Sequence, residues 1–184
     1  MADFRELIGE ISTLLTVEAT RDLALQPRSV ETPVAMTEAQ VIAQPRPLVV
    51  PILRAGLGML DSFLALVPIA EAGFYGLKRN EVTLEPAFYA QRLPDRLDGR
   101  HVFLLDPMLA TGGSLIAAIT DLLSRGASHV TSMCIVAAPE GIMAVEAAFT
   151  DAPVELFVAT RDERLNTDGY IVPGLGDAGD RLYG

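Results

Sequence analysis

The chain has 184 residues, 50% of them hydrophobic and 21% charged, with a formal net charge of −10 at pH 7; a chain of this length buries about 70% of its unfolded surface as one compact domain. The acidic balance argues against general binding to nucleic acid, which needs many lysines and arginines on phosphates, but it leaves room for a small anion held by a few placed groups. "MADFRELIGE" carries no basic leader with an apolar stretch, no window holds the roughly 18 apolar residues of a membrane span, and the single Cys134 cannot close an internal disulfide.

These features predict a soluble, cytoplasmic protein with no membrane partner, in which Cys134 is a small buried hydrophobe within a strand. The first element, "DFRELIGEISTLLTVEATRDL", places Phe4, Leu7, Ile8, Ile11, Leu14 and Leu15 at helical spacing and predicts an amphipathic helix. "SVETPVAM" reads as a short extended piece. "PLVVPILRAGLGMLDSFLALV" then reads as a strand, a tight turn at glycines and a helix. The more polar "GLKRNEVTLEPAFYAQRLPDRLDGR" holds Pro86 and Pro94 and alternates partially around Phe88, Tyr89 and Ala90, as a hairpin or a long mobile loop does.

The strand, turn and helix order returns in "RHVFLLDPMLATGGSLIAAITDLLSRGA", with an apolar run at 102–105 and a helix closed by Gly126. It returns again in "HVTSMCIVAAPEGIMAVEAAF", and "VELFVAT" supplies one more strand. Strands apolar on both faces and alternating with helices make the fold class α/β, a mostly parallel sheet with helices on both faces. His101 and His129 each enter a strand and read as structural, and no Ser-His-Asp or Cys-His pairing suggests a protein nucleophile.

Ligands of open parallel sheets bind beyond the carboxyl ends of the strands, which selects 54–58, 106–114 and the region after Ala138. Two glycine motifs have to be tested against that rule. The run from Gly174 to Gly179 matches the letters of the dinucleotide fingerprint but leaves only a short tail where a long helix is required, and the run from Gly56 carries Asp61 where the third glycine belongs. No G-x-x-x-x-G-K-[ST] occurs.

"DPMLATGGS" is richer in chemistry. Thr111, Gly112, Gly113 and Ser114 lie between a buried strand and a helix, so backbone N–H groups, the helix dipole and two hydroxyls can surround an anion. Asp106 at the strand end would accept from sugar hydroxyls or hold a metal-bound water, and a phosphate beside such an acceptor suggests a ribose phosphate. The alternative reading is a plain glycine turn capped by Asp106.

The segments "VVPILRAGLGM", "RNEVTLEP", "LLDPMLATGGS", "VAAPEGI" and "YIVPGLGDAGDRLYG", in that order, closely resemble the uracil phosphoribosyltransferase family from the first helix to the last residue. The resemblance implies the phosphoribosyltransferase fold over 1–184 as a single domain, with a hairpin lid at 79–98 and a carboxyl-terminal base-binding hood at 168–184. It implies pyrimidine salvage: transfer of the phosphoribosyl group of 5-phosphoribosyl 1-diphosphate (PRPP) to N1 of uracil, giving UMP and diphosphate, with Mg²⁺ accompanying the diphosphate.

By the same resemblance, Asp106, Arg54 and Asp177 are catalytic. PRPP is bound by Arg54, Arg79, Asp106, Pro107, Met108, Leu109, Ala110, Thr111, Gly112, Gly113, Ser114 and Asp177, with Ala110 to Ser114 on the ribose 5-phosphate. A cis peptide is expected beside Arg54. Uracil is bound by Ile171, Gly176, Asp177 and Ala178, where glycines allow close backbone approach to a planar base. Many phosphoribosyltransferases carry two adjacent acids at this strand end, whereas here Pro107 takes the second place, so Mg²⁺ is expected on substrate oxygens and water with no certain protein ligand.

The family is commonly a homodimer, some members assemble further, and GTP activates some. The chain begins where family members already have an additional amino-terminal segment, and Val17 stands where Tyr is frequent. Two rival readings remain on sequence grounds: a UMP-sensing, messenger-RNA-binding relative, disfavoured by the acidic charge, and a dinucleotide oxidoreductase resting on the imperfect motif at Gly56.

Overall fold

The computed structural model describes residues 2–79 and 86–184, the side chains of Arg79 and Pro86 excepted. The amino-terminal half runs α1 (Ala2–Ala19), β1 (Leu25–Glu31), β2 (Met36–Ile42), β3 (Leu48–Leu53), α2 (Leu57–Leu66), β4 (Glu71–Ala72), β5 (Phe74–Arg79) and β6 (Pro86–Arg92). It continues through β7 (His101–Leu105), β8 (Met108–Leu109), α3 (Gly113–Ser124), β9 (His129–Ala137), α4 (Pro139–Ala148), β10 (Val154–Arg161), β11 (Arg164–Leu165), β12 (Ile171–Val172) and α5 (Ala178–Tyr183).

The central sheet has the order β10-β9-β7-β3-β5-β6, with β4 beside β3 and β8 beside β9. All pairings from β10 to β5 are parallel, and β6 returns antiparallel to β5 as the expected hairpin. Alternation of side chains along each strand divides the core. Leu48, Val50, Val102, Leu104, Val130 and Cys134 face α3, while Val49, Phe103, Leu105, Met133 and Ile135 face α1 and α2. Each face is covered by helices, so both can be apolar, as the uninterrupted runs at 48–53 and 102–105 required. Cys134 is fully buried in β9, as expected.

The chain leaves β3 on one side, toward β5, and returns to the other side as β7. Loops after β3 and β7 therefore diverge at the switch point of the sheet, opening a crevice between residues 54 and 106. Gly56 lets α2 start close to this point: a Cβ there would lie 2.4 Å from the Leu105 carbonyl oxygen. At Gly58 a Cβ would meet Leu182 Cδ1 at 2.9 Å, so these glycines serve packing and not a dinucleotide.

Two local expectations change. Leu7 and Leu14 are exposed, and α1 instead buries Ile8, Ser12, Leu15, Thr16 and Ala19. Ser12 and Thr16 enter the core because each hydroxyl donates within the helix, to Ile8 O at 2.6 Å and Ser12 O at 2.7 Å, which hides their polarity from the sheet. The stretch 29–36 is not one extended piece but the end of β1, a turn and the start of β2, an antiparallel hairpin whose strands pair only with each other. Both strands are largely exposed, so no strong apolar alternation marks them.

At the base of the β5–β6 hairpin, the Tyr75 hydroxyl donates to Asp121, whose carboxylate Arg125 holds at 2.7 Å. Tyr89 lays its ring over Gly76, where a Cβ would come within 2.5 Å of it. The tip of the expected lid, 80–85, lies outside the described residues. Among the described residues no helix is long and apolar enough to cross a membrane.

Candidate active site

A cavity of about 280 Å³ opens at the carboxyl ends of β3 and β7. Arg54 and Ala55 come from the loop after β3, and the peptide bond Leu53–Arg54 is cis, as expected. Asp106 follows the end of β7, Met108 belongs to β8, Ser114 comes from the first turn of α3, and Asp177, Ala178 and Gly179 from the start of α5. A second cavity of about 120 Å³ adjoins it, sharing Asp106, Met108 and Ser114, and is walled by Leu109, Ala110, Thr111, Gly112 and Gly113.

The smaller cavity lies at the loop for which an anion cradle is expected. Gly112 caps α3 with φ +85°, a left-handed turn that glycine adopts without steric penalty, and so aims the amino terminus of a twelve-residue helix into the space. Its close support comes from Gly141 in α4: a Cβ at 141 would lie 2.2 Å from Ala110 O. The third strand-end segment, after Ala138, therefore lies behind the loop and braces it.

Asp106 accepts the Met108 N–H at 3.3 Å, and burial pushes its carboxyl up to about 6, opposed weakly by that N–H. A carboxylate so placed gains from any hydroxyl donor that enters the cavity. Pro107 lines neither cavity; it is buried and its carbonyl accepts the N–H groups of Ile135 and Val136. Among the described residues, no cluster of three or more His, Cys, Asp or Glu side chains is arranged around a common metal position.

Arg54 pairs with Asp180, Nη2 to Oδ1 at 2.9 Å, with both side chains more than half exposed. Asp180 is not among the residues expected at the site; folding brings it to Arg54 from 126 positions away. Asp177 caps α5 by accepting the Asp180 N–H at 2.8 Å. The Arg79 side chain lies outside the described residues.

The tail folds back over this end of the sheet. Ile171 is buried with Val136, Ala138, Met108, Ala110, Leu165 and Leu175, so its side chain packs and only its backbone is available to a ligand. Gly176 has φ +78° with nothing within 4 Å of its missing side chain. The α5 helix is six residues long and carries no dinucleotide-type helix. It is tied to α1 instead, by Arg5 Nε on Leu182 O at 2.6 Å and by Arg181 stacked 3.8 Å above the Phe4 ring.

A parallel sheet with a strand-end acid, a glycine cradle at a helix start and a folded-back tail is the plan of a phosphoribosyltransferase. A purine phosphoribosyltransferase from Pyrococcus horikoshii superposes with a TM-score of 0.57 at 13% identity, covering 85% of this chain and 84% of that one, a likeness of fold.

Closer similarities define the family. The family model for uracil phosphoribosyltransferase matches residues 1–184, and the chain belongs to that family. A uracil phosphoribosyltransferase of Kineococcus radiotolerans is 60% identical over 182 residues, 98% of this chain and 86% of the relative. One from Streptomyces coelicolor is 56% identical over 183 residues, covering 100% of this chain and 87% of the relative. The solved AQ2163 protein from Aquifex aeolicus superposes with a TM-score of 0.91 at 46% identity, over 97% of this chain and 85% of that one.

Proposed function

We propose that this chain transfers the 5-phosphoribosyl group of PRPP to N1 of uracil, releasing diphosphate and UMP, within a single domain spanning 1–184. The observation that carries the reading is the convergence in one cavity of Arg54, the strand-end Asp106, the helix start at Ser114 and the tail at Asp177. Family membership makes uracil the base.

The ribose 5-phosphate would rest on the N–H groups and hydroxyls of 110–114, with the α3 dipole behind it. Asp106 would accept from the ribose hydroxyls. Backbone groups of Ile171 and 176–178 would read the base edge, and Asp177 would lie near the ribose and the reacting nitrogen. As the C1–O bond to diphosphate breaks, positive charge grows on the ribose ring and negative charge on the leaving group; Arg54 and Arg79 stabilise the latter and the carboxylates of Asp106 and Asp177 the former. Arg54 must exchange Asp180 for the diphosphate, a small step because an exposed pair is worth about 0–1 kcal/mol.

Mg²⁺, when bound, neutralises diphosphate charge. The donor set suits a metal held mainly by substrate oxygens and water, because Asp106 is followed by Pro107 and not by a second acid. The 79–98 hairpin would close as a lid over the ring. A homodimer is supported by Leu7 and Leu14, two turns apart and exposed on α1, and GTP as an effector rests on the family alone.

Conversion of radiolabelled uracil to UMP with PRPP and Mg²⁺ tests the reading, with cytosine, hypoxanthine and orotate as competitors and with GTP added in a parallel series. Uracil-selective UMP formation is expected. No UMP, or equal use of hypoxanthine, would contradict it.

A further inference from the structure

A base pocket that reads its ligand through backbone groups has a particular weakness. Its selectivity is only as good as the position of the chain that carries those groups, and no side chain of the pocket can compensate for a shift. The stretch from Ile171 to Ala178 holds two glycines of positive φ, Gly174 and Gly176, and only short regular elements. Something outside it has to hold it.

Two carboxylates from the central scaffold do so. Glu140, in the first turn of α4, reaches a backbone 25 positions further on and accepts the Leu165 N–H at 3.0 Å. Leu165 is the register partner of Ile171 in the β11–β12 ladder, so the bond fixes the strand that bears the base-reading backbone. Asp162, directly after β10, accepts the Gly174 N–H at 2.8 Å on the far side of the same ladder.

Glu140 is also next to Gly141, whose absent side chain lets α4 touch Ala110 O of the phosphate cradle. A single helical turn thus contacts the anion loop through residue 141 and the base strap through residue 140. The Leu165 N–H, first, and the residue's own N–H hold the Glu140 carboxyl below its ordinary range, so the acceptor is charged. Its Oε2 is enclosed without a hydrogen-bond partner.

We propose that Glu140 is a positioning residue for base recognition, setting the distance of the uracil-reading strap from the phosphate cradle, with Asp162 as the second pin. The inference rests on the proposed uracil transfer. It assigns to α4 a role in substrate selection although neither carboxylate lines the cavity where the ribose and base would meet.

Steady-state kinetics of Glu140→Ala, Glu140→Gln and Asp162→Ala separate this from a merely structural role. Loss of a positioning hydrogen bond should raise the KM for uracil by about tenfold, with the KM for PRPP within about twofold of wild type. Glu140→Gln should stay within about threefold for uracil, because its amide oxygen still accepts the Leu165 N–H. Asp162→Ala should show the same split and decides the matter if Glu140→Ala does not fold. Equal rises in both KM values, an unchanged KM for uracil, or a Gln variant as impaired as Ala would overturn the proposal.

Amide hydrogen exchange at Leu165 reads the pin without substrate: Glu140→Ala should speed it by about tenfold, and unchanged protection would overturn the pin. Inactive wild-type protein would instead sink the proposed reaction, leaving exchange to decide the contact.

Discussion

The two ends of the central sheet are both polar and both contain a half-buried titratable group pushed far from its ordinary range, yet they are built in opposite ways. At the amino ends of the strands, His101 stacks on Phe103 at 4.4 Å, meets the edge of His129 at 4.7 Å and sits 2.8 Å from the Thr131 hydroxyl. His129 lies 3.2 Å from Glu155, and Arg100 reaches Glu71 at 2.9 Å. Burial, with His129 beside it, pushes His101 down to about 4. At the carboxyl ends, burial pushes Asp106 up to about 6, and that carboxylate shares its cavities with a helix start, a glycine cradle and Arg54.

A shifted titration therefore reports burial at both ends and a site at one. What distinguishes the site is convergence: groups of complementary chemistry, drawn from three separate stretches of chain, face one space. At the other end the polar groups largely face each other.

The contrast is broken most severely at Asp106. Asp106→Asn should lower kcat/KM for PRPP by about 10²–10³-fold. The sign for stability is the reverse. Because the folded-state pKa is raised from 3.8 to about 6, the folded chain holds the extra proton in that window, and the ionised form carries a penalty that is complete above pH 6. The Asn variant should thus unfold at the same temperature or higher near pH 8. In the wild type, kcat/KM for PRPP should decline as pH falls through about 6 and Asp106 protonates.

Next in size, Arg54→Ala should raise the KM for PRPP by about 10–100-fold, since the cation proposed for the diphosphate is lost. Thermal unfolding should barely respond, because the pair with Asp180 is exposed. Gly141→Ala sharpens the question of what braces the cradle: its Cβ would overlap the Ala110 carbonyl, costing about 1–3 kcal/mol in denaturant titration and weakening PRPP more than uracil.

The smallest effect belongs to the amino end. The folded pKa of His101 is depressed from 6.5 to about 4, so its contribution to stability is present above pH 6.5 and is lost as pH falls toward 4. His101→Gln should flatten that slope by on the order of 2 kcal/mol, read from urea midpoints across the window.

The same asymmetry governs how far the sequence could be read. The sheet and its helices were legible because both faces of β3, β7 and β9 are covered, leaving continuous apolar runs between glycine turns. The strand, glycine turn and helix around Asp106 were legible for a related reason, since they are contiguous in the chain. The buried face of α1 was misread at Leu7 and Leu14 because Ser12 and Thr16 satisfy their hydroxyls within the helix and look polar in a pattern. The β1–β2 hairpin left no clear signal because its strands are exposed. Asp180, Glu140 and Asp162 were missed as contributors because each acts on a partner that only folding brings near, 126, 25 and 12 positions away.

The most direct measurement compares the two ends in one assay: uracil-dependent UMP formation by the wild type, Asp106→Asn and His101→Gln under identical PRPP and Mg²⁺. Asp106→Asn should lose about 100-fold or more at the carboxyl end, and His101→Gln should turn over within about twofold of wild type at the amino end. Comparable losses in both variants, or an Asn variant that turns over normally, would contradict this contrast.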